Sequence, residues 1–295
     1  MSEDTDIDHL LAPPVSLETG ERLVSWADSV RTQIARGDMM LGILSVDDVE
    51  KVPVAYQAAA DSGVEQAWLR LAWWHALPDL GEQDLVASEM ALSGALKVGA
   101  IGAELELVKI RWFFKRDSAT LAEKKGAYQL ASDLVSRSPN DGQATYFLAL
   151  LTTHGFGVEP SPEAGFDLQR QAADLGSRDA MFELYIHYAQ GIGTAVNEGQ
   201  AYAACLRAAE AGHARAMYNL GAFHATGRGT AKDMTQAVAW YERAADAGNP
   251  SAMAGLAVIY ATGDGVEVDR EYAEQLFDQA DYLGLDVSEL RAQVM

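Results

Sequence analysis

The sequence has few cysteines, prolines and basic residues, and it lacks a long hydrophobic run. Cys205 is the single cysteine among 295 residues, so no disulfide can form within the chain. The longest apolar runs are far shorter than the roughly 20 residues that a membrane-spanning helix needs. With 22 Lys and Arg against 43 Asp and Glu, the formal net charge is −21 at pH 7. Such a charge disfavours nucleic-acid backbones and anionic membranes as partners.

The first residues also lack the features of a secretory signal. They read MSEDTDID, whereas a signal peptide begins with basic residues followed by an apolar run. Together with the single cysteine, this start predicts a cytoplasmic protein. We expect the acidic residues 1–15 to be disordered. The overall acidity has two interpretations: it keeps the protein soluble, or it attracts a basic partner.

The sequence contains a 36-residue repeat. Four similar stretches each begin with alanine and end in a Gly-x-Gly motif, and their first residues are 36 positions apart. A fixed period of 20 to 50 residues is typical of a solenoid built from repeated helical units. The four stretches are ATYFLALLTTHGFGV from Ala144, AMFELYIHYAQGIGT from Ala180, AMYNLGAFHATGRGT from Ala216 and AMAGLAVIYATGDGV from Ala252.

Each repeat predicts two helices, A and B. We number each copy from its alanine, which is position 1, and every copy has a leucine at position 5. Positions 1–11 are predicted to form a helix, called helix A. Positions 1, 5 and 9 lie on one side of it. Glycines at positions 12 and 14 end this helix, because glycine reaches the left-handed conformation of a helix C-terminus. Position 18 holds an N-cap residue in every copy, so helix B begins there: Ser161, Asn197, Asp233 and Asp269.

The Gly-x-Gly motif is therefore interpreted as a turn and not as a phosphate-binding loop. It lies between two helices, follows no strand and lacks the lysine of a P-loop.

These features resemble the Sel1-like repeat. The resemblance depends on the alanine, the leucine, the Gly-x-Gly turn, the 36-residue period and the endings AAEAG and AADAG. It covers residues 144–287, about half of the chain, and implies an all-α, right-handed superhelical α-solenoid. Residues 16–143 show decayed copies of the pattern, which brings the expected total to about seven helical pairs, and 288–295 are expected to form a capping segment.

In arrays of this family helix A is expected to line the concave wall, and a partner would bind there. Positions 4, 8 and 11 fall at i, i+4 and i+7, and the sequence analysis places them on that wall. The predicted partner-binding residues come from these positions: Arg70, Trp74, Phe113, Phe147, Leu151, His154, Glu183, His187, Asn219 and Phe223. For Trp74 and Phe113 a role as core residues between degenerate copies is an equal alternative.

The sequence shows no catalytic motif, and we expect no cofactor and no metal. No histidine belongs to a His-Glu-x-x-His motif, and none is paired with a cysteine at zinc-binding spacing. His154, His187 and His224 occur on successive A helices, which leaves a metal site as a minor alternative. Cys205 lies among alanines in a B helix and is expected to be a buried residue and not a nucleophile.

The resemblance implies a non-enzymatic scaffold or adaptor that binds a partner protein or peptide on its helix-A face. The net charge favours an alternative, a dedicated inhibitor of the immunity-protein or antitoxin type that neutralises a basic enzyme. An enzyme is the least favoured hypothesis, because the repeats leave no room for a separate catalytic domain. The oligomeric state does not follow from the sequence.

Overall fold

The computed structural model describes residues 7–11, 15–35, 46–77 and 83–295, and within these ranges the chain consists of α-helices joined by turns, without strands. It forms two compact units, Met1–Leu134 and Val135–Met295. The predicted all-α solenoid of helical repeats is confirmed. In the described ranges no helix is both long enough and apolar enough to cross a membrane.

The first unit consists of helices that pack against their neighbours in sequence. Contacts join α1 to α2, α2 to α3, α3 to α4, α4 to α5 and α5 to α6, and α4 also contacts α6. The seventh helix begins in this unit and ends just beyond its boundary. The helices are α1 (Ile7–Leu11), α2 (Leu17–Ala35), α3 (Val46–Asp61), α4 (Glu65–Ala76), α5 (Leu85–Lys97), α6 (Ala103–Phe114) and α7 (Leu121–Arg137).

Helix α1 corrects part of the expectation for residues 1–15. Ile7 and Leu10 are buried in the same hydrophobic core as Leu23 of α2 and Tyr56 of α3. Burying these two aliphatic side chains compensates for the entropy of ordering a short acidic segment. Residues 1–6 and 12–14 lie outside the described residues.

The second unit is an alternation of A and B helices, each of which packs against the next. The A helices begin two residues before position 1, because a residue at position −2 accepts a backbone hydrogen bond and caps them: Asp141, Ser177, His213 and Asn249. The bounds are α8 (Gly142–His154), α9 (Pro162–Asp174), α10 (Arg178–Gln190), α11 (Glu198–Glu210), α12 (Ala214–Thr226), α13 (Met234–Asp246), α14 (Pro250–Thr262), α15 (Arg270–Tyr282) and α16 (Ser288–Val294).

The caps predicted for the B helices are present. Ser161, Asn197, Asp233 and Asp269 each accept a hydrogen bond from the backbone N–H three residues later. The segment expected to cap the array contains α16, which contacts α14, and Arg291 of α16 forms ion pairs with Glu274 and Asp278 of α15.

The Gly-x-Gly motif forms the turn between helix A and helix B. Gly191 caps α10 with φ of 75°, and Gly193 follows with φ of 65°. A side chain at Gly193 would also meet the carbonyl oxygen of Pro162, since an added Cβ would lie 2.0 Å from it. Glycine is therefore needed here both for the positive φ and for the close approach of two backbone segments.

Candidate protein-interaction site

The accessible side of the A helices is formed by positions 0, 4, 7 and 11 of the repeat, which we call the helix-A stripe, except in α8, where Phe147 and Leu150 at positions 4 and 7 are buried. At about 100° per residue these four positions lie within about 60° of one another around the helix. In α10 they are Asp179, Glu183, Ile186 and Gln190, all at least partly exposed. The same register applies in the first unit, where α4 presents Gln66, Arg70, Trp73 and Leu77.

Position 8, which was predicted to lie on the binding wall, is buried in each described copy, so its predicted exposure is wrong, and for Trp74 the alternative of a core residue holds. The residues are Trp74, Ile110, Leu151, His187, Phe223 and Ile259, none more than 9% exposed. Position 8 turns toward the preceding B helix. The ring of His187 lies 5.8 Å from Phe166 of α9, and that of Phe223 lies 5.9 Å from Tyr202 of α11.

The remaining predicted residues divide into two groups. Arg70, Glu183 and Asn219 at position 4 are partly exposed, and Phe113 and His154 at position 11 are exposed, so all five belong to the helix-A stripe. Phe147 also stands at position 4 but is only 3% exposed, and its ring contacts that of Tyr146 at 5.0 Å. The expected exposure of Phe147 is therefore also corrected.

In the first unit the stripe contains a cavity of about 340 Å³. Its wall is formed by residues of α2, α4 and α6: Arg31, Leu69, Arg70, Trp73, Leu77 and Glu106. The cavity thus combines a tryptophan, two leucines and two arginines. Tryptophan and arginine are the residue types that most often dominate the free energy of protein interfaces.

The polar groups of this cavity are held by specific hydrogen bonds. The Nε of Arg70 donates to both carboxylate oxygens of Asp28, at 2.9 and 3.1 Å, and the hydroxyl of Tyr56 donates to the same carboxylate at 2.6 Å. Burial, reinforced by the Asp28 carboxylate, raises the pKa of Tyr56 and keeps this hydroxyl protonated. The indole Nε1 of Trp73 donates to Glu106 at 2.7 Å. Both acidic groups are thus engaged, and the apolar surfaces remain accessible.

In the second unit the stripe carries a polar ladder across the N-termini of successive A helices. The amide of Gln143 donates to Asp179 at 3.1 Å, and the other carboxylate oxygen of Asp179 lies 3.7 Å from Nε2 of His213. Glu183 stands one turn further along α10. Burial raises its pKa, although the Arg215 guanidinium counteracts this effect. This part of the stripe therefore carries acidic and basic groups side by side, with Arg215 exposed at position 0 of α12.

The single cysteine and two of the histidines have different environments. Burial raises the pKa of the Cys205 thiol to about 12, so the thiol stays protonated and unreactive. His187 is buried with Nδ1 2.8 Å from the carbonyl oxygen of Ile192, whereas His154 is exposed. Across the described ranges, no three His, Cys, Asp or Glu side chains are grouped as metal ligands would be.

Trp73, at position 7, is an interface candidate that the prediction from the sequence missed. Spacings of three and four residues both keep side chains on one side of a helix, so positions 4, 8, 11 and positions 4, 7, 11 are equally regular. The tandem Trp73–Trp74 contained the signal, because two adjacent residues of a helix point about 100° apart and are seldom equally buried. The choice between them required the position of the neighbouring helix.

Comparisons with known proteins identify the repeats. The model of the Sel1 repeat matches residues 142–177, 178–213, 214–249 and 250–284. No curated protein matches the sequence.

Solved structures share the fold at low sequence identity. A Sel1 repeat protein from Oxalobacter formigenes superposes with a TM-score of 0.59 and 22% identity over 81% of this chain and 99% of its own. An immunity protein from Pseudomonas aeruginosa gives a TM-score of 0.54 and 20% identity over 77% and 84% of the two chains.

A protective antigen of uropathogenic Escherichia coli with an SLR fold gives a TM-score of 0.51 and 23% identity over 80% of this chain. The match spans about half, 50%, of the length of the E. coli protein. Taken together with the 36-residue period and the glycine turns, the matched ranges show that residues 142–284 are an array of four Sel1 repeats.

Proposed function

We propose that this protein is a non-enzymatic scaffold that binds a partner protein on the helix-A stripe, with the Arg70–Trp73 cavity as the anchoring point. The observation that supports this most is the cavity itself: Trp73 is held by Glu106 and Arg70 by Asp28, while the space beside them stays open. Side chains that are already fixed lose little entropy when a partner binds. The Sel1 repeats of the second unit agree with this role, since repeat arrays present long binding surfaces.

The occupant of the cavity is an apolar side chain of the partner. Leu69, Trp73 and Leu77 provide the apolar wall, and the carboxylates of Asp28 and Glu106 are already hydrogen-bonded. A positively charged side chain would have to displace these bonds. An aliphatic or aromatic side chain fills the space without doing so and removes apolar surface from water.

The experiment is affinity capture from the native host with three forms of the tagged protein: wild type, Trp73→Ala and Tyr282→Ala. Tyr282 is an exposed aromatic residue of α15 outside the stripe, 57% accessible, and serves as the matched control. We expect one or more proteins to be captured by the wild type and by Tyr282→Ala but lost with Trp73→Ala. Circular dichroism establishes that all three are folded. Equal capture by all three forms would exclude the cavity as the binding site.

A second proposal is narrower: the partner is a basic enzyme that this protein neutralises. It is supported by the net charge of −21 and by the partly exposed carboxylate of Asp179 on the stripe. The immunity protein of similar fold agrees with it at the level of fold alone.

The rate of association distinguishes this inhibitor from a general scaffold. For a basic partner, electrostatic steering predicts that the rate constant falls on the order of tenfold or more between low and high ionic strength. A rate that is independent of salt would contradict the proposal. Replacing Asp179 and Glu183 by asparagine and glutamine should reduce the salt dependence, whereas Glu289→Gln, an exposed control on α16, should have a smaller effect.

A further inference from the structure

A second groove lies on the opposite side of α10, away from the helix-A stripe. Its floor is formed by positions 2, 5 and 9 of the repeat, which are Met181, Leu184 and Tyr188. These positions lie about 150° around the helix from the stripe. The groove has a volume of about 320 Å³, and its walls are residues of α9 and α11: Arg170, Asp174, Gln200, Ala203, Ala204 and Arg207.

One of the residues that line this groove is smaller than its counterparts in the next two repeats. Ala204 occupies position 25 of its repeat, whereas the next two repeats carry Trp240 and Leu276 there. The next repeat therefore carries an indole at the position of this alanine, and that indole is partly exposed. The guanidinium of Arg243 lies over the Trp240 ring at 4.2 Å, which is the geometry of a cation–π contact.

The counterpart of Arg243 in the open groove is Arg207, and it is already fixed. Its Nη1 donates to Asp174 at 3.0 Å, and its Nη2 donates to the carbonyl oxygen of Ala173 at 2.7 Å. The N–H groups of a guanidinium lie in its plane, so these bonds leave its faces accessible for stacking. The groove thus has the arginine of the next repeat's Arg243–Trp240 pair but lacks the aromatic ring.

The charges of the residues that line the groove indicate which charged group a bound ligand would carry. Two arginines, Arg170 and Arg207, face the groove together with one carboxylate, Asp174, in a protein of net charge −21. Arg207 is paired with Asp174 at 3.0 Å, whereas Arg170 is 58% exposed and lies 3.8 Å from Asp167, at the limit of an ion pair. Arg170 is therefore the cation best placed to bind an incoming carboxylate.

We propose that this groove binds a short segment of a partner protein that presents an aromatic side chain beside an acidic residue. The ring lies beside Ala204, where the next repeat carries Trp240, and stacks against Arg207, with Met181, Leu184 and Tyr188 beneath it. The acidic side chain pairs with Arg170. This site is separate from the cavity of the proposed function and does not depend on it.

The test uses the full chain labelled with ¹³C at the methionine methyl groups, and the Met181 signal is assigned with a Met181→Leu variant. The probe is the blocked tetrapeptide acetyl-Gly-Trp-Asp-Gly-amide. Two matched peptides accompany it, one with Ala in place of Trp and one with Asn in place of Asp. We expect a saturable shift of the Met181 methyl signal with the probe and no saturable shift with the Ala peptide. The Asn peptide should bind several-fold more weakly, since it loses the charge-assisted bond to Arg170.

Two variants identify the site. Ala204→Trp fills the groove with the residue found one repeat later, and it should abolish the shift; Gln275→Trp, at an exposed position of α15, should not. Arg170→Gln leaves the groove open and should equalise binding of the Asp and Asn peptides.

Binding that survives Ala204→Trp in the folded protein, or the absence of any saturable shift in the wild type, would overturn the proposal. Tighter binding of free N-acetyltryptophan than of the tetrapeptide would overturn the assignment of the groove to a polypeptide partner.

Discussion

The indole N–H of Trp73 donates a hydrogen bond of 2.7 Å to one carboxylate oxygen of Glu106, whose other oxygen accepts from Lys109 at 2.8 Å. The bond connects α4 to α6 across the first unit and fixes the orientation of the ring beside the cavity. Trp74, the next residue, is buried in the core of the same unit. Two adjacent tryptophans thus have different roles, one in packing and one in lining an accessible cavity.

Removing this hydrogen bond while keeping an aromatic ring should lower stability. For Trp73→Phe we expect the free energy of unfolding to fall by about 1 kcal/mol, a typical net contribution of one hydrogen bond. Urea denaturation followed by circular dichroism measures this change. Trp240→Phe is the control, because its indole N–H donates to no other described residue in the second unit. Equal stability of Trp73→Phe and wild type would show that the bond does not form in solution.

Phe223 should behave as a core residue and not as a binding residue. It is 9% exposed and packs against Tyr185 and Tyr202, so Phe223→Ala should cost about 3 kcal/mol in the free energy of unfolding. Asn219 lies on the stripe of the same helix and is half-buried. Asn219→Ala should lower the free energy of unfolding by less than about 1 kcal/mol. A Phe223→Ala protein as stable as wild type would contradict the register of α12.

Stability should fall as the pH drops through the range of His213. Its Nδ1 accepts a hydrogen bond from the backbone N–H of Ala216 at 3.2 Å and caps α12, which requires the neutral ring. Burial lowers the pKa of His213, with Arg215 and Arg178 adding to the effect and Asp179 opposing it. In the unfolded chain the pKa of His213 is about 6.5. As the pH falls, His213 therefore binds a proton in the unfolded chain before it does so in the folded protein.

Stability contributed by His213 is thus complete above about pH 6.5 and is lost progressively below it. Melting temperatures between pH 8 and pH 5.5 measure the effect. His213→Asn places the residue found at the equivalent Asn249, which caps its helix without titrating, and should reduce the pH dependence. Some dependence should remain, because burial also lowers the pKa of His75 and His187. A His213→Asn protein with the full wild-type dependence would contradict the assignment.

Two glycines at the same position of the repeat should differ in their tolerance of alanine. Gly193 and Gly229 both have positive φ, 65° and 69°. An added Cβ would meet the Pro162 carbonyl oxygen at Gly193, but nothing within 4 Å at Gly229. Gly229→Ala should lower the free energy of unfolding by about 1 kcal/mol, because of backbone strain alone. Gly193→Ala should lower it clearly more, because the clash with the Pro162 carbonyl oxygen adds to the strain. Equal melting temperatures for the two variants would show that the close approach is absent.

Gln169 should be replaceable by an apolar residue with a gain in stability. Its side chain is 1% exposed, and its amide nitrogen is a buried donor without a hydrogen-bond partner among the described residues. The next three repeats carry Cys205, Tyr241 and Phe277 at this position. Gln169→Met should raise the free energy of unfolding by about 1 kcal/mol, and the exposed control Gln171→Met should leave it unchanged. A loss of stability would indicate that a water molecule satisfies the amide.

Helices and caps followed closely from the sequence. The ends of the regular A helices at position 11, the glycines that close them and all four B-helix caps are as predicted. These features depend on a residue and its neighbours within about four positions, because capping and positive φ are local properties. The caps of the A helices were missed, since a histidine at position −2 concealed the pattern shared by Asp141, Ser177 and Asn249.

The sequence by itself determined the period, the helix pairs, the turns and the acidic character of this protein, because each depends on local propensity or on composition. Only the tertiary structure decided which side of helix A is accessible. Positions 7 and 8 are adjacent in sequence but about 100° apart around the helix, and the packing of the preceding B helix buries the second. The same packing buries Trp74 but leaves Trp73 partly exposed, and it leaves a groove open at Ala204.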